Sequence, residues 1–386
     1  MSFRRKEKSH NIITLCDFSL RRNDNIENKL LQYNKMEVDY LIIGSGLAGI
    51  SFAETCLLHH KKIMVLNDNS QNSTTIAGGL YNPIVLKRFT KIWEAEAQLA
   101  ITIPFYKNLE KKLGTTFLYE IPLFRKLNNI EEQNNWFSAS DKPTLSNYLS
   151  SELKTLNNEA VVSNYKFGKV NETGFLDTKR LKENYTNYLV AENCYLEESF
   201  DYSKLVIKNN QIEYKDIRAK QIVFAEGFGL HNNPYFNNLP LDGTKGELLI
   251  IKSENLKLNE IINSSIWVLP LGNHLYKVGA TYDWEDKTNQ KTEKAKTELL
   301  THLKEVISCD FEVIDHLAGV RPTVKDRRPL LGKHHLHNHL YILNGLGTRG
   351  VLFAPYLSDK LYQYIENGIP LDNEISIERC YKKLFR

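Results

Sequence analysis

The chain has 386 residues, 42% hydrophobic and 25% charged, an ordinary composition for a soluble globular protein of one or two domains. No apolar run approaches the roughly 20 residues that a membrane helix needs, so we predict no transmembrane segment. The five cysteines are scattered and include no Cys-x-x-Cys pair. This pattern argues against a disulfide framework or a structural zinc site and favours a cytoplasmic protein.

The net charge of +4 comes from the first 35 residues. They hold eight Lys/Arg and four Asp/Glu, which leaves 42 residues of each sign in the rest of the chain. A neutral body disfavours nucleic acid as a partner. Residues 1–35 are polar and rich in Asn, and Met36 is either the natural start or the first residue after a flexible arm. In both cases we predict a disordered extension.

An apolar strand followed by a Gly-x-Gly-x-x-Gly motif is the most informative local pattern. Val38–Ile43 lead into Gly44, Gly46 and Gly49, and a helix-like stretch follows. The first glycine of this motif permits a tight turn, the second lets a pyrophosphate approach the backbone, and the third allows close packing of helix and strand. The motif predicts a dinucleotide-binding βα unit, and by itself it allows NAD, NADP or FAD.

Strands and helices alternate near both ends of the chain, with an antiparallel region between them. Lys62–Leu66, Gln221–Ala225 and Leu340–Leu343 are short apolar strands of the parallel type. Residues 246–281 instead alternate apolar and polar side chains between turn signals. We therefore predict an α/β protein, in which a doubly wound nucleotide-binding domain is assembled from separated segments and interleaved with an antiparallel β-rich domain.

Six further segments follow the glycine motif. They are Thr74-Thr75-Ile76-Ala77-Gly78-Gly79-Leu80, Ala225-Glu226-Gly227, Lys245-Gly246-Glu247, Leu269-Pro270 with Val278-Gly279-Ala280-Thr281, Gly319-Val320-Arg321-Pro322 with Asp326 and Pro329-Leu330-Leu331-Gly332, and Gly345–Gly350. In these segments and in their order, the chain resembles the D-amino-acid oxidase and glycine oxidase family of FAD-dependent oxidoreductases over most of residues 37–370.

The resemblance implies a glutathione-reductase-like Rossmann domain that binds FAD. This domain would comprise residues 36–90, 170–240 and 316–386, and the substrate domain residues 91–169 and 241–315. Relatives that hold FAD covalently use a cysteine near Gly319, where this chain has none, so we expect non-covalent FAD. The residues implied to bind FAD are Gly44, Ser45, Gly46, Leu47, Ala48, Gly49, Asn67, Asp68, Thr74, Thr75, Gly78, Gly79, Leu80, Ala225, Glu226, Gly227, Arg321, Gly345, Gly347, Thr348, Arg349, Gly350 and Val351.

One position departs from the family pattern. The acidic residue that takes the adenosine ribose belongs at position 67, where this chain has Asn67, and the acid comes one residue later at Asp68. Asn67 can hydrogen-bond ribose hydroxyls without charge assistance. Asp68 is either a ribose ligand or a plain turn residue.

The resemblance also implies a site for the anionic end of a substrate. Arg321 matches the family arginine that clamps a substrate carboxylate, because a guanidinium presents two parallel donors to the two carboxylate oxygens; a structural salt bridge is the alternative. The N–H groups of Gly345–Gly350 and the following helix would face the flavin pyrimidine, although a generic turn would look similar. Arg349 would add a charge to the flavin or to the substrate.

Three further residues are candidates for the substrate pocket. Trp267 falls where relatives place a Tyr or His, and it either shields the reacting carbon from water or packs in the core. Tyr282 is a second candidate for the pocket wall. Lys277 falls where some amine-oxidising relatives place a lysine near flavin N5, with an exposed strand lysine as the alternative. The dense His334–His339 segment lacks accompanying Cys or carboxylate ligands, and we predict a surface loop without a metal.

The resemblance therefore implies hydride transfer from a small amine, amino acid or 2-hydroxy acid to flavin N5. The substrate would carry a carboxylate, and O2 or a quinone would accept the electrons. One alternative is the flavin-dependent modification of a tRNA wobble base, which the neutral body disfavours. Another is a non-catalytic flavoprotein, against which the intact Arg321 speaks.

Overall fold

The computed structural model describes residues 35–208 and 211–384. The predicted disordered extension, apart from Lys35, lies outside these residues. The helices are α1 (Leu47–Leu58), α2 (Ser73–Ile76), α3 (Ala95–Leu113), α4 (Ile130–Ser140), α5 (Thr178–Ala191), α6 (Glu293–Lys304), α7 (Gly350–Asn367) and α8 (Glu378–Leu384), with 3₁₀ turns at Tyr202–Lys204, Gly227–Asn232 and Gly347–Arg349.

The strands are short and fall into two large sheets and two small ones. They are β1 (Met36–Ile43), β2 (Ile63–Asn67), β3 (Leu80–Tyr81), β4 (Ile84–Val85), β5 (Thr90–Lys91), β6 (Leu118–Tyr119), β7 (Leu123–Lys126), β8 (Leu149–Lys154), β9 (Phe167–Val170), β10 (Gly174–Leu176), β11 (Tyr195–Glu197), β12 (Leu205–Ile207), β13 (Ile212–Tyr214), β14 (Ile217–Phe224), β15 (Thr244–Lys252), β16 (Ile261–Asn263), β17 (Trp267–Gly272), β18 (Leu275–Gly279), β19 (Glu312–Arg321), β20 (Leu330–Lys333) and β21 (Leu340–Asn344).

The first sheet has a parallel centre. The order β11-β2-β1-β14-β21 is parallel throughout, and β12, β13 and β20 join it as antiparallel strands. Its central strands are buried on both faces, which is why they are nearly continuous apolar runs in the sequence. One face packs against α1, α3, α5 and α7, and the other against residues 227–241 and α8. The predicted doubly wound α/β class is confirmed.

Helix α7 is tied to α3 at its first turn. Pro355 has no N–H to give to the carbonyl of Val351, four residues earlier. The hydroxyl of Tyr106 on α3 donates to that carbonyl instead, at 3.1 Å. The hydroxyl of Thr102 donates to the Leu352 carbonyl at 2.9 Å. These contacts hold the N-terminus of α7 in place.

The second sheet is mainly antiparallel, in the order β19-β15-β18-β17-β16-β7-β9-β8, with β16 and β7 parallel. One of its faces packs against α6 through Leu299 and Leu303. Its other face, together with the carboxyl ends of β1, β2, β14 and β21, borders a deep cleft. Ligands bind at this edge of open α/β sheets, so the fold itself indicates where the site lies.

The domain boundaries stay a prediction. Helix α3, which we assign from the sequence to the substrate domain, packs against α7. Strand β19 runs across the predicted boundary at residue 316. None of the described helices combines the length and apolar composition that crossing a bilayer requires.

Candidate active site

The cleft between the two sheets encloses about 430 Å³, within the range of small-molecule sites. Most residues predicted from the sequence line it: Gly44, Gly46, Leu47, Ala48, Asn67, Asp68, Thr74, Gly78, Gly79, Leu80, Ala225, Glu226, Gly227, Trp267, Tyr282, Arg321, Gly347, Thr348, Gly350 and Val351. The other predicted residues are set behind this lining: Ser45, Gly49, Thr75, Lys277, Gly345 and Arg349. The roles of the residues in both groups stay predictions.

The glycines of the first motif hold β1, α1 and β14 in close contact. Gly44 has φ +102°, and a Cβ there would lie 2.5 Å from the carbonyl oxygen of Ala225. A Cβ on Gly49 would lie 1.9 Å from the carbonyl oxygen of Gly44. Any larger residue at either position would push the helix away from the strand. The motif therefore brings backbone rather than side chains to the cleft floor.

Two helices begin at the cleft with features that suit an anion. Neither α1 nor α7 is capped by the side chain of its own N-cap residue or has an acidic residue in its first turn, although the Leu47 N–H donates to the Thr74 hydroxyl at 3.2 Å. No negative charge therefore compensates the positive end of either helix dipole. The hydroxyl of Ser45 is buried and has no hydrogen-bond partner among the described residues. These features fit the pyrophosphate of a dinucleotide.

Asn67 and Asp68 lie at the end of the cleft beyond β2, where Asp68 is the acid that comes one residue later than in the family pattern. The Asn67 side chain accepts the N–H of Ser45 at 3.2 Å. Asp68 accepts the backbone N–H of Ser70 at 3.0 Å and the hydroxyl of Ser199 at 2.8 Å. Burial opposes ionisation of Asp68, but these hydrogen bonds outweigh it and hold its pKa below the ordinary value. Asp68 thus makes turn contacts while both residues line the cleft.

Glu226, at the end of β14, is a second carboxyl group in this part of the cleft. The Tyr202 hydroxyl and the Asn233 amide donate to its two oxygens, the latter at 2.8 Å. Burial raises the pKa of Glu226 to about 7, against the effect of those two hydrogen bonds. A carboxyl group poised near neutrality is typical of a cleft that a ligand completes.

Asn344 connects the Gly345–Gly350 loop to the loop that follows β14. The sequence motifs did not identify this residue. Its side chain is 2% exposed, donates to the Gly227 carbonyl at 2.9 Å and accepts the N–H of Gly345 at 2.7 Å. The N–H of Gly347 donates to the Pro322 carbonyl at 2.9 Å. A polar residue ending an otherwise apolar strand was the available signal for this junction.

Arg321 has a buried guanidinium with only weak partners. Its Nη1 donates to the carbonyls of Lys245 and Thr281, both at 3.3 Å, and its Cζ lies 4.6 Å from the centre of the Tyr282 ring. A Cβ on Gly246 would lie 2.0 Å from Nη2, so only glycine leaves room for the guanidinium. Burial lowers the pKa of Arg321. Among the described residues, no carboxylate forms an ion pair with it, in contrast to the salt-bridge alternative.

Arg349 is a second buried cation near Tyr282. Its Nη1 donates to the Asn82 carbonyl at 3.5 Å, the upper limit for a hydrogen bond. Burial lowers the pKa of Arg349 to about 10. Within the described part of the chain it has no ion-pair partner either. Two buried guanidinium groups therefore give the cleft a positive potential at this end.

Trp267 forms an apolar wall of the cleft. A Cβ on Gly78 would lie 2.6 Å from the indole ring, and one on Gly279 would lie 2.7 Å from it. The two glycines therefore make the space in which the ring sits. The side chain lines the cleft and is partly accessible, as a residue that excludes water from a reacting carbon must be.

Lys277 lies one layer behind this wall. Its Nζ donates to the Ala77 carbonyl at 2.9 Å, in the loop that borders the cleft. Burial lowers the pKa of Lys277. The side chain is partly buried and bonded to this loop, so Lys277 is not a fully exposed strand lysine. Its proposed proximity to flavin N5 stays a prediction.

A buried ionic network holds the backbone that receives Arg321. Lys245 is 1% exposed, and its Nζ lies 2.5 Å from Asp286 and 3.4 Å from Glu247. Glu247 also accepts the N–H and the hydroxyl of Thr292, each at 2.8 Å. The segment from β18 to α6 is thereby pinned to β15. The two carbonyls that bind Arg321 lie on either side of this junction.

The histidine segment lies away from the cleft. Burial lowers the pKa of His334 to about 4, and its neighbours His335 and His337 act in the same direction. Within residues 35–208 and 211–384, no group of three or more His, Cys, Asp or Glu side chains is arranged to hold a metal ion. His334 stacks with His335 and His337.

The model of the family described as FAD dependent oxidoreductase matches residues 39–363. The chain belongs to this family, the D-amino-acid oxidase and glycine oxidase group. Solved structures agree: glycine oxidase from Bacillus cereus aligns with a TM-score of 0.69 at 19% identity, covering 86% of this chain and 96% of that one. Iminodiacetate oxidase from Chelativorans aligns with a TM-score of 0.71 at 18% identity, covering 88% and 98%. At these identities the likeness shows the fold.

Curated relatives match shorter stretches. The bifunctional protein MnmC of Legionella pneumophila, named for tRNA 5-methylaminomethyl-2-thiouridine biosynthesis, is 30% identical over 122 residues, which is 30% of this chain and 18% of the relative. Glycine oxidase of Bacillus subtilis is 26% identical over 153 residues, 36% of this chain and 39% of the relative. The matches thus span well under half of these relatives' length.

The chain is an FAD-dependent oxidoreductase, and we expect it to bind FAD non-covalently because it has no cysteine near Gly319. The helix starts without acidic residues, the Ser45 hydroxyl without a partner among the described residues, and the glycine-lined floor fit such a cofactor. No cysteine of the described residues lines the cleft.

Proposed function

We propose that this enzyme oxidises a carbon–nitrogen bond in an amine that also carries a carboxylate group. The observation behind this proposal is the largely buried guanidinium of Arg321 at the cleft wall, which forms no ion pair with any carboxylate of the described residues. A buried charge without a partner is costly, so a site that keeps one is suited to an anionic ligand. The carboxylate of an amino acid has the matching charge and geometry.

The residues around Arg321 would orient the substrate. When bound, FAD accepts a hydride from the substrate carbon. Arg321 would fix the carboxylate, with Tyr282 stacked beneath the guanidinium. Trp267 would cover the reacting carbon and exclude water. A carboxylate held at one end and an apolar wall on the other confine the carbon between them.

The proton of the amine has to leave before the substrate reacts. The strands of the second sheet and the residues that directly follow them line the cleft with Gly246, Leu248, Trp267, Ala280, Tyr282, Gly319, Arg321 and Pro322, none of which is Asp, Glu or His. The two buried arginines disfavour a third cation beside them. The site therefore favours the neutral amine, whose proton passes to solvent on binding.

An anaerobic flavin-reduction screen tests the proposal. The panel is glycine, sarcosine, D- and L-amino acids, iminodiacetate and 2-hydroxy acids, and each amine has as its control the matching amine that lacks the carboxylate. We expect bleaching of the flavin absorbance by a carboxylate-bearing amine and not by its matched amine. Equal reduction by both members of a pair, or reduction by 2-hydroxy acids alone, would contradict the proposal. Repeating the assay with O2 or a quinone identifies the electron acceptor.

A second candidate substrate is an amine attached to a tRNA base. The observation that favours it is the match to curated proteins named for tRNA 5-methylaminomethyl-2-thiouridine biosynthesis. That name describes a uridine bearing a secondary amine, which is a group that amine oxidation can act on. Bleaching of the flavin by tRNA but not by free amino acids would favour this candidate.

A further inference from the structure

Two large aromatic side chains are exposed beside the cleft. Tyr282 is 57% exposed and lines the cleft, and Trp284, two residues later, is 40% exposed. Each lies beneath an arginine: the Cζ of Arg321 is 4.6 Å from the Tyr282 ring centre, and that of Arg327 is 4.9 Å from the Trp284 ring centre. We call these four side chains the aromatic strip.

The strip is held rigidly although its rings are exposed. Asp283, between the two aromatic residues, forms a bridge with Lys245 in which each donates its N–H to the other's carbonyl. Lys287 Nζ donates to the Trp284 carbonyl at 2.6 Å and to the Gly243 carbonyl at 2.8 Å. Rings fixed in this way are preorganised for stacking.

The strip contains guanidinium donors but carries little net charge. Within the described residues, neither Arg321 nor Arg327 forms an ion pair. The nearby acids are largely engaged, since Asp286 pairs with Lys245 and Asp326 with Arg379. Glu285 and Asp283 remain as opposing charges, and Asp283 accepts the backbone N–H groups of Glu285 and Asp286. The strip thus combines flat rings with one guanidinium outside the cleft, that of Arg327, and is close to neutral.

We propose that the aromatic strip binds single-stranded nucleic acid, with a base stacked on Trp284 or Tyr282, so that an amine attached to a neighbouring base enters the cleft. This inference rests on the second candidate substrate. Exposed aromatic rings with adjacent arginines are the usual means of holding unpaired bases. A free amino acid would be covered by the cleft alone and would leave Trp284 without a role.

The neutral body of the chain is consistent with this mode of binding. Stacking carries the affinity, and the strip offers about one cation, Arg327, to phosphates. For single strands, the slope of log affinity against log salt is about −0.7 per phosphate neutralised. We therefore expect a slope of about −0.7 or shallower, far shallower than that of a protein with a basic groove.

Fluorescence anisotropy with a labelled single-stranded RNA of about ten nucleotides tests the strip on the flavin-loaded protein. We expect Trp284→Ala to weaken binding between about fivefold and a hundredfold, Trp284→Phe to restore most of it, and duplex RNA of the same composition to bind more weakly. Phe137→Ala is the matched control, because Phe137 is 42% exposed but lies on α4, outside the cleft lining.

Several results would overturn the inference. They are failure of the wild-type protein to bind the RNA, equal affinities of Trp284→Ala and Phe137→Ala, and self-association that Trp284→Ala abolishes while RNA does not bind. Flavin reduction by a small carboxylate amine is a separate readout, which Trp284→Ala should leave unchanged because Trp284 does not line the cleft. RNA binding without flavin reduction by any amine would contradict the proposed function and leave the strip intact.

Discussion

Arg321→Met separates a ligand-binding arginine from a structural one. The guanidinium has two backbone acceptors at 3.3 Å and the Tyr282 ring. Losing them costs about 1 kcal/mol for each of these three contacts. Removing a buried charge without a carboxylate partner recovers several kcal/mol of desolvation. The two effects largely cancel, and we expect the free energy of unfolding to change by less than about 1 kcal/mol.

Binding of a carboxylate should respond very differently. The charged, bidentate contact contributes about 2–4 kcal/mol, so the dissociation constant of acetate or benzoate should rise between about 30-fold and 1,000-fold. The dissociation constant is measured by titrating the flavin absorbance. The melting temperature of the flavin-loaded protein should stay within about 4 °C of the wild type.

Arg125→Met is the matched control. Arg125 is also largely buried, but it donates to the Ser264 carbonyl at 2.7 Å and pairs with Glu132 at 3.6 Å. Its loss should lower stability by about 3 kcal/mol and leave carboxylate binding unchanged. If Arg321→Met instead destabilises the protein as much as Arg125→Met does and retains carboxylate affinity, Arg321 is structural and the reasoning fails.

Three other substitutions test the cleft. Burial raises the pKa of Glu226 from its ordinary value of 4.5 to about 7. Between these two pH values the folded chain binds more protons than the unfolded chain, so the free energy of unfolding falls as pH rises. Glu226→Gln should remove this fall and, at pH 8, raise the free energy of unfolding measured by denaturant titration by on the order of 2 kcal/mol. Gly44→Ala should abolish retention of FAD on gel filtration, because the new Cβ meets the Ala225 carbonyl. Gly114→Ala is the control, since Gly114 also has positive φ but lies in open space; it should lower the free energy of unfolding by only about 1 kcal/mol. Lys245→Met leaves two carboxylates without their buried cation and should lower stability by about 3–5 kcal/mol, while unchanged melting would show that the network is dispensable.

The sequence was sufficient for the cofactor cleft because backbone demands are local. Gly44 and Gly49 are needed where β1 and α1 nearly touch. Glycines at a fixed spacing can be recognised from the sequence alone. Arg321 was implied by the family resemblance of its Gly-Val-Arg-Pro segment, and the structure adds that Gly246 leaves the space for its guanidinium. Residues of this kind are constrained by sterics that few other amino acids satisfy.

Contacts between distant segments could not be predicted in the same way. Asn344 is one polar residue at the end of a strand. Its structural role depends on its hydrogen bond to the Gly227 carbonyl, 117 residues earlier in the chain. Lys277 looked like an exposed strand lysine until the loop containing Ala77 was placed over it. In both cases the partner is supplied by tertiary packing, which periodicity does not encode.

The positive groups of the cleft have the same effect on the stability of the protein. Helices α1 and α7 begin there without acidic caps, and Arg321 and Arg349 are buried there without carboxylate partners among the described residues. Each of these features lowers the stability of the free protein, and each is relieved by an anion. A pyrophosphate at the helix starts and a carboxylate at the arginines would neutralise two separate centres. We therefore expect FAD and a carboxylate ligand to raise the melting temperature additively, because the two anions bind to different groups.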